Sequence, residues 1–187
     1  MNRREAVWRI AVLMGGAMVG GEVFLSGQTL PGKAVTEGFT DDDRALLDEI
    51  GETIIPATAI PGAKAVGIGA FMAMMVTDCY NDRQHATFKA GLGRINEAAR
   101  AKWGKPFVAC SAEERTALAN QLDAEQKAHH AAKSASEEAH YFRMMKELSV
   151  LGFFSSQVGA TQAVHYVEVP GSYNGNVPYK KGDGAWY

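Results

Sequence analysis

The sequence predicts an all-α protein, a small bundle of about five to six helices followed by an irregular, aromatic-rich C-terminal arm. Three observations carry this expectation. Apolar residues recur at the i, i+3, i+4, i+7 spacing of a single helix face through much of residues 39–166. Helix-start residues (Thr40, Asn81 or Asp82, Ser111 and Ser156) precede these runs, and Gly or Pro follows several of them. Beyond Val167 the density of Gly and Pro rules out regular helix.

Residues 1–27 read as an export signal. Arg3, Arg4 and Arg9 stand ahead of a mostly apolar run, Ile10 to Leu25, that Gly15, Gly16, Gly20 and Gly21 interrupt. At about 16 residues the run is shorter than the roughly 20 needed to cross a bilayer as a helix, and its glycines weaken helix formation. The pair Arg3-Arg4 before a weakly apolar stretch resembles a twin-arginine signal, which moves proteins already folded. Ala6 and Val7 stand where stronger signals carry Phe and Leu, so an ordinary secretory signal or an uncleaved N-terminal helix is the alternative. Residues 28–38, rich in Gly, Pro and Thr, read as a linker.

The helical domain is expected over residues 39–166. Thr40 caps a first helix with Asp41, Asp42 and Asp43 in its first turn, where the exposed N–H groups favour negative charge. Leu46, Leu47, Ile50 and Ile54 mark its apolar face, and Pro56 ends it. Ala57 to Gly67 reads as a loop around Pro61-Gly62. Ile68, Phe71, Met72 and Met75 mark a second helix running to about Cys79, with a Met-rich face that reads as core filling. Asn81 or Asp82 caps a third, with Phe88, Leu92, Ile95 and Trp103 inward and Gly104 at its end. Ser111-x-x-Glu114 is a capping-box pattern, so a fourth starts at Ala112, buries Leu118 and Leu122, and frays near His129-His130. A fifth, from about Glu137, carries Tyr141, Phe142, Met144, Met145, Leu148 and Leu151 over an arc wide enough for a central helix. After Gly152-Phe153-Phe154, Ser156 starts a short helix ending near His165. In the arm, residues 167–187, the rings of Tyr173, Tyr179 and Trp186 call for a surface to bury against, either the domain itself or a partner.

With 47% apolar and 21% charged residues in a chain of 187, one folded domain plus a short extra segment is expected rather than disorder. A net charge of −2 provides no basic field for a phosphate backbone, which argues against a nucleic-acid partner. Cys79 and Cys110 lack framework spacing and read as two free thiols, with a single disulfide as the alternative.

Catalytic and cofactor motifs find little support. Gly67-x-Gly69 has Met72 at the third glycine position and no strand before it, and Gly91-x-Gly93 lies inside a helix, so neither suits a dinucleotide. No Cys-x-x-Cys-His, iron–sulfur cysteine set or Gly-x-Ser-x-Gly elbow is present. Glu137-x-x-His140 has the spacing of a di-metal carboxylate bundle, and Asp82-x-x-His85 is a weaker relative, but such a site needs two clean copies and two further Glu. His129-His130 reads as a polar helix end. No catalytic, cofactor or metal residue is therefore assigned, and the alternative function kept open is an independent periplasmic metal-binding or envelope protein.

Several segments resemble the gluconate 2-dehydrogenase subunit 3 family. They are Met1-Asn2-Arg3-Arg4-Glu5-Ala6, Leu47-Asp48-Glu49-Ile50, Thr53-Ile54-Ile55-Pro56-Ala57-Thr58, Pro61-Gly62-Ala63-Lys64-Ala65 and Gly104-Lys105-Pro106-Phe107. Further along come Lys146-Glu147-Leu148, Gly152-Phe153-Phe154, Gly159-Ala160-Thr161-Gln162-Ala163, Pro170-Gly171, Val177-Pro178-Tyr179 and Ala185-Trp186. The resemblance implies a non-catalytic small subunit. Its expected partner is a larger FAD-dependent sugar or polyol dehydrogenase of the glucose-methanol-choline type, with FAD on that partner and no cofactor on this chain. It further implies escort to the periplasm as a folded complex by the twin-arginine translocase through Arg3 and Arg4, a c-type cytochrome subunit as a further partner, and membrane association through the partner or an uncleaved signal.

Overall fold

The computed structural model describes residues 38–134, 137–169, 171–172, 175–178 and 180–185. All of them belong to the unit Thr36–Tyr187. Among them are five α-helices, two short 3-10 turns and one π-helical turn, and no strand.

Helix α1 (Asp41–Ile54) starts where Thr40 closes a reciprocal cap with Asp43. Thr40 Oγ1 accepts from the Asp43 N–H at 3.1 Å, and Asp43 Oδ2 accepts from the Thr40 N–H at 2.9 Å. Leu46, Leu47 and Ile50 are buried, and the helix stops before Pro56, with Ile55 already outside helical geometry. The expected loop contains one regular piece, a 3-10 turn over Ala63–Val66, and Gly67 at φ +68° leads from it into α2 (Ile68–Cys79).

Ile68, Met72, Ala73 and Val76 point inward on α2, whereas Phe71 and Met75 are only partly buried. The buried face is therefore turned from the one expected. Close approach to α1 explains the turn, because a Cβ at Gly69 would lie 2.4 Å from the Arg44 carbonyl oxygen. Only glycine lets the two backbones come so near, and the face carrying Gly69, Ala73 and Val76 becomes the contact.

Helix α3 (Asp82–Trp103) is capped by Asn81 with Gln84 and ends on Gly104 at φ +72°. It buries Phe88, Leu92, Ile95 and Ala99, and Trp103 packs at the edge. A 3-10 turn, Phe107–Ala109, leads to α4 (Ala112–Ala132), where Ser111 and Glu114 complete the expected capping box. Helix α4 does not fray at His129-His130. It continues to Ala132, and the Lys133 N–H still donates to the His129 carbonyl at 2.8 Å.

Helix α5 (Tyr141–Ser155) starts four residues later than expected, with His140 as its cap. His140 Nδ1 accepts from the Phe142 N–H at 3.3 Å. Every other α-helix packs against α5, which buries Tyr141, Phe142, Met144, Met145, Leu148 and Phe153. Ser156 Oγ then accepts from the Gly159 N–H at 3.1 Å, and Gly159–Ala163 forms the π-helical turn in place of the expected short helix. From Val164 on, the described residues are irregular, and the His165 N–H donates to the Ala185 carbonyl at 2.7 Å. Cys79, exposed at the end of α2, and buried Cys110 are both free thiols.

Two glycines test the packing. A Cβ at Gly152 on α5 would fall 2.5 Å from Phe71 and 2.6 Å from Ile68, whereas one at Gly93 on α3 would meet nothing within 4 Å. Gly152→Ala is expected to destabilise the fold by about 1–3 kcal/mol through overpacking. Gly93→Ala is expected to stabilise it by about 0.5–1 kcal/mol through helix propensity. Urea unfolding of the two variants measures both.

The His140 cap carries a pH dependence. Burial foremost, then the neighbouring His129 and Arg94 against the opposing pull of Glu125, holds this imidazole below its ordinary value of 6.5. The unfolded chain takes up this proton more readily than the folded one. The cap's contribution is therefore complete above about pH 6.5 and is lost as pH falls through the lower folded value. His140→Asn keeps a capping oxygen without the titration. The gap in urea midpoint between wild type and this variant is expected to shift against wild type below pH 6.5 and to stay constant above it.

Candidate partner-binding site

Three carboxylates on α1 are spent on holding loops. Asp48 Oδ1 accepts from the Gly69 N–H at 2.7 Å, in the first turn of α2, where the helix dipole favours negative charge. Glu52 accepts from the Ala57 and Lys64 N–H groups, each at 2.9 Å, and so folds the Pro61-Gly62 loop back onto α1. Glu49 lies between Lys64 and Arg115, ion-paired to both. Arg115 also donates to the carbonyls of Phe107 at 3.3 Å and Val108 at 2.8 Å, and Asn96 Oδ1 accepts from the Phe107 N–H at 3.1 Å. The segments around Thr53-Ile54-Ile55-Pro56, Pro61-Gly62-Ala63-Lys64-Ala65 and Gly104-Lys105-Pro106-Phe107 thus converge on one polar cluster.

A second feature lies between α4 and α5. A groove of ≈ 500 Å³ is lined by Gln126, Arg143, Lys146, Glu147, Val150 and Leu151. Val150 is 43% and Leu151 51% exposed, although both are large and apolar. The charges of the rim are paired within the chain. Arg143 meets Glu147 at 2.8 Å, and Lys146 meets Asp123 at 2.6 Å, with Lys127 on the other carboxylate oxygen at 2.6 Å. Hydrogen bonds from Lys127 and Lys146 hold Asp123 well below the usual carboxylate range, so it is an acceptor only. Gln126 Nε2 donates to Asp123 Oδ1 at 3.1 Å. That bond fixes which way the amide points. Gln126 is only 6% exposed, and its Oε1 has no hydrogen-bond partner. A buried carbonyl left in this way costs about 1–3 kcal/mol.

Of the residues singled out in the sequence, Arg3, Arg4, Tyr173, Tyr179 and Trp186 lie outside the described residues. The Glu137-x-x-His140 spacing does not form the helical pair on which a carboxylate bundle depends. Both residues precede α5, Glu137 accepting from the Ser134 N–H at 3.3 Å and His140 serving as the cap. The i, i+3 argument requires adjacent turns of one helix, and no helix is present there. Glu137 does approach His129, at 3.6 Å, and His129 and His140 have ring centroids 5.7 Å apart. Among the described residues no group of three or more His, Cys, Asp or Glu is placed to hold a metal ion. Gly67-x-Gly69 follows a 3-10 turn and Gly69 is packed on α1, so the close approach to pyrophosphate that a dinucleotide needs has no room.

The groove was not legible beforehand. Asp123 and Lys127 form an i, i+4 pair readable on a helix, but Lys146 reaches Asp123 from another helix, and Gln126 looks like any polar residue of a polar helix end. The family model for gluconate 2-dehydrogenase subunit 3 matches residues 41–171. No curated protein and no solved structure matches the chain. That match runs through all five α-helices and the π-helical turn, and includes the polar cluster on α1 and the α4–α5 groove; the chain belongs to the gluconate 2-dehydrogenase subunit 3 family.

Proposed function

We propose that the chain is a non-catalytic small subunit that binds and stabilises a larger FAD-dependent sugar or polyol dehydrogenase and escorts it to the periplasm. The family match over residues 41–171 carries this reading, because the family is that of a subunit of a multi-subunit dehydrogenase. Two further features support it. The α1 carboxylates and Arg115 are engaged in holding loops, which suits a scaffold better than a reaction centre. The exposed apolar residues Val150 and Leu151 beside a groove suit a surface that another subunit covers. On this reading FAD resides in the glucose-methanol-choline-type partner, a c-type cytochrome subunit accepts electrons, and the twin-arginine translocase recognises Arg3 and Arg4.

Export gives the first test. Arg3→Lys with Arg4→Lys keeps the charge of the N-terminal segment and removes the paired arginines. Both this subunit and the flavoprotein are expected to accumulate in the cytoplasm, as cell fractionation with flavin absorbance would record. Unchanged periplasmic levels would instead assign export to the general secretory route.

Removal of residues 171–187 tests the arm. Tyr173, Tyr179 and Trp186 each bring a ring able to remove about 150–250 Å² from water. At about 25 cal/mol/Å², one well-buried ring contributes several kcal/mol before ordering costs. The shortened chain is expected to keep its helical circular dichroism while retaining at least tenfold less flavoprotein on co-purification. Unfolding of the shortened chain would place the rings in its own core, and full retention would place the contact on the helices alone.

A further inference from the structure

The end of α4 and the start of α5 lie together, and each carries a histidine. His129 is in the last turn of α4, where the helix dipole favours a cation, and its Nε2 stands 3.6 Å from Glu137 Oε1. His140 is the cap of α5, at the end where the dipole disfavours one. The two ring centroids are 5.7 Å apart.

A proton does opposite things at the two positions. On His129 it completes an ion pair that ties Glu137 to the end of α4, where Lys133 Nζ already donates to the Glu137 carbonyl at 2.9 Å. On His140 it destroys the cap. His140 Nδ1 accepts from the Phe142 N–H, so it is bare in the folded chain, whereas imidazolium carries a donor on both nitrogens. Two donors then oppose each other, and the Phe142 N–H must turn to water. The surroundings add to the effect. Burial opposes a charge on His140 most, then His129 of α4, and Arg94 of α3 opposes it too, against Glu125 of α4, which favours it. On α5 itself the Tyr141 ring lies 4.2 Å from the His140 ring, with Arg94 over it at 5.7 Å. Further along α5, Met145, Leu148 and Phe153 pack in the core and take no support from the cap.

We propose that the α4–α5 junction is an acid-sensitive joint, in which a proton on His140 frees the first turn of α5 while the end of α4 and the core stay in place. His129 sets where the joint opens, because a charge on it stands beside the ring that must be charged next. The opening is local, a loss of one helix start rather than of the fold. It is a property of the chain itself and stands whether or not the subunit role does.

Hydrogen exchange of the full chain, read amide by amide by NMR and divided by the unstructured rate at the same pH, provides the test. Protection of the Phe142 amide is expected to fall about threefold or more between pH 7 and pH 5, the loss that a helix cap brings. The Lys133 amide, bonded to the His129 carbonyl at 2.8 Å, and the Leu148 amide in the core are expected to keep theirs. His140→Asn offers an acceptor that does not titrate, so its Phe142 protection is expected to stay level over the same range. His129→Gln removes one of the charges that oppose a proton on His140, so the fall is expected to begin at higher pH than in wild type. Level Phe142 protection in wild type would overturn the proposal, as would an equal fall in His140→Asn. A fall shared by Leu148 would mean global unfolding and no joint, and an unmoved onset in His129→Gln would remove the pairing of the two histidines from it.

Discussion

Contact of α5 with every other α-helix is the constraint from which the arrangement of those helices follows. A helix at the rim of a bundle needs one narrow apolar stripe, but Tyr141, Phe142, Met144, Met145, Leu148 and Phe153 occupy about half of the circumference of this one. Two of its close approaches to other helices use glycines in opposite senses. At Gly152 the missing side chain is on α5 and makes room for Ile68 and Phe71 of α2, whereas at Gly91 it is on α3 and makes room for the Tyr141 ring. Even the buried hydroxyl on α5 is satisfied locally, with Ser149 donating to the Met145 carbonyl at 2.8 Å. The buried hydroxyl therefore needs no outside polar partner, and the inward face of the helix meets its neighbours by shape.

Polar contacts then select among the packings that shape permits. The Glu49 to Arg115 pair joins residues 66 apart in sequence, with side chains only 16% and 18% exposed. Attraction between such groups is largely offset by the cost of taking them out of water, so the pair contributes little net stability. Loss of either partner is a different matter, because it leaves an uncompensated charge in a half-buried place. The pair thus penalises wrong arrangements of α1 against α4 more than it strengthens the right one. Glu52 acts locally, its carboxylate accepting from two loop N–H groups and so favouring the folded-back loop.

Most of the helical architecture could be read directly, because helix starts depend on residues a few positions apart. Thr40, Asn81 and Ser111 each begin a helix where their side chains suggest, and Gly104 ends one. Failures occur where a distant contact decides. The inward face of α2 is set by Gly69 against the Arg44 carbonyl, which no periodicity within α2 reveals. The late start of α5 is by contrast a local effect, for His140 competes with continued helix by offering its ring nitrogen to the Phe142 N–H, and histidine is not a usual helix-start signal. The burial of the Gln126 amide depends on the α5 residues beside it, so a reading along one strand of text had no access to it.

The position of α5 in the chain has a consequence for synthesis. The helix on which all others pack is the last α-helix among the described residues, ending at Ser155. While the ribosome is still making it, α1 to α4 carry apolar surface that only α5 will cover. Local pieces such as the α1–α2 pair can form early, but cooperative closure waits until nearly the whole domain has emerged. The nascent chain thus keeps apolar surface exposed over most of its synthesis, and cooperative closure comes late.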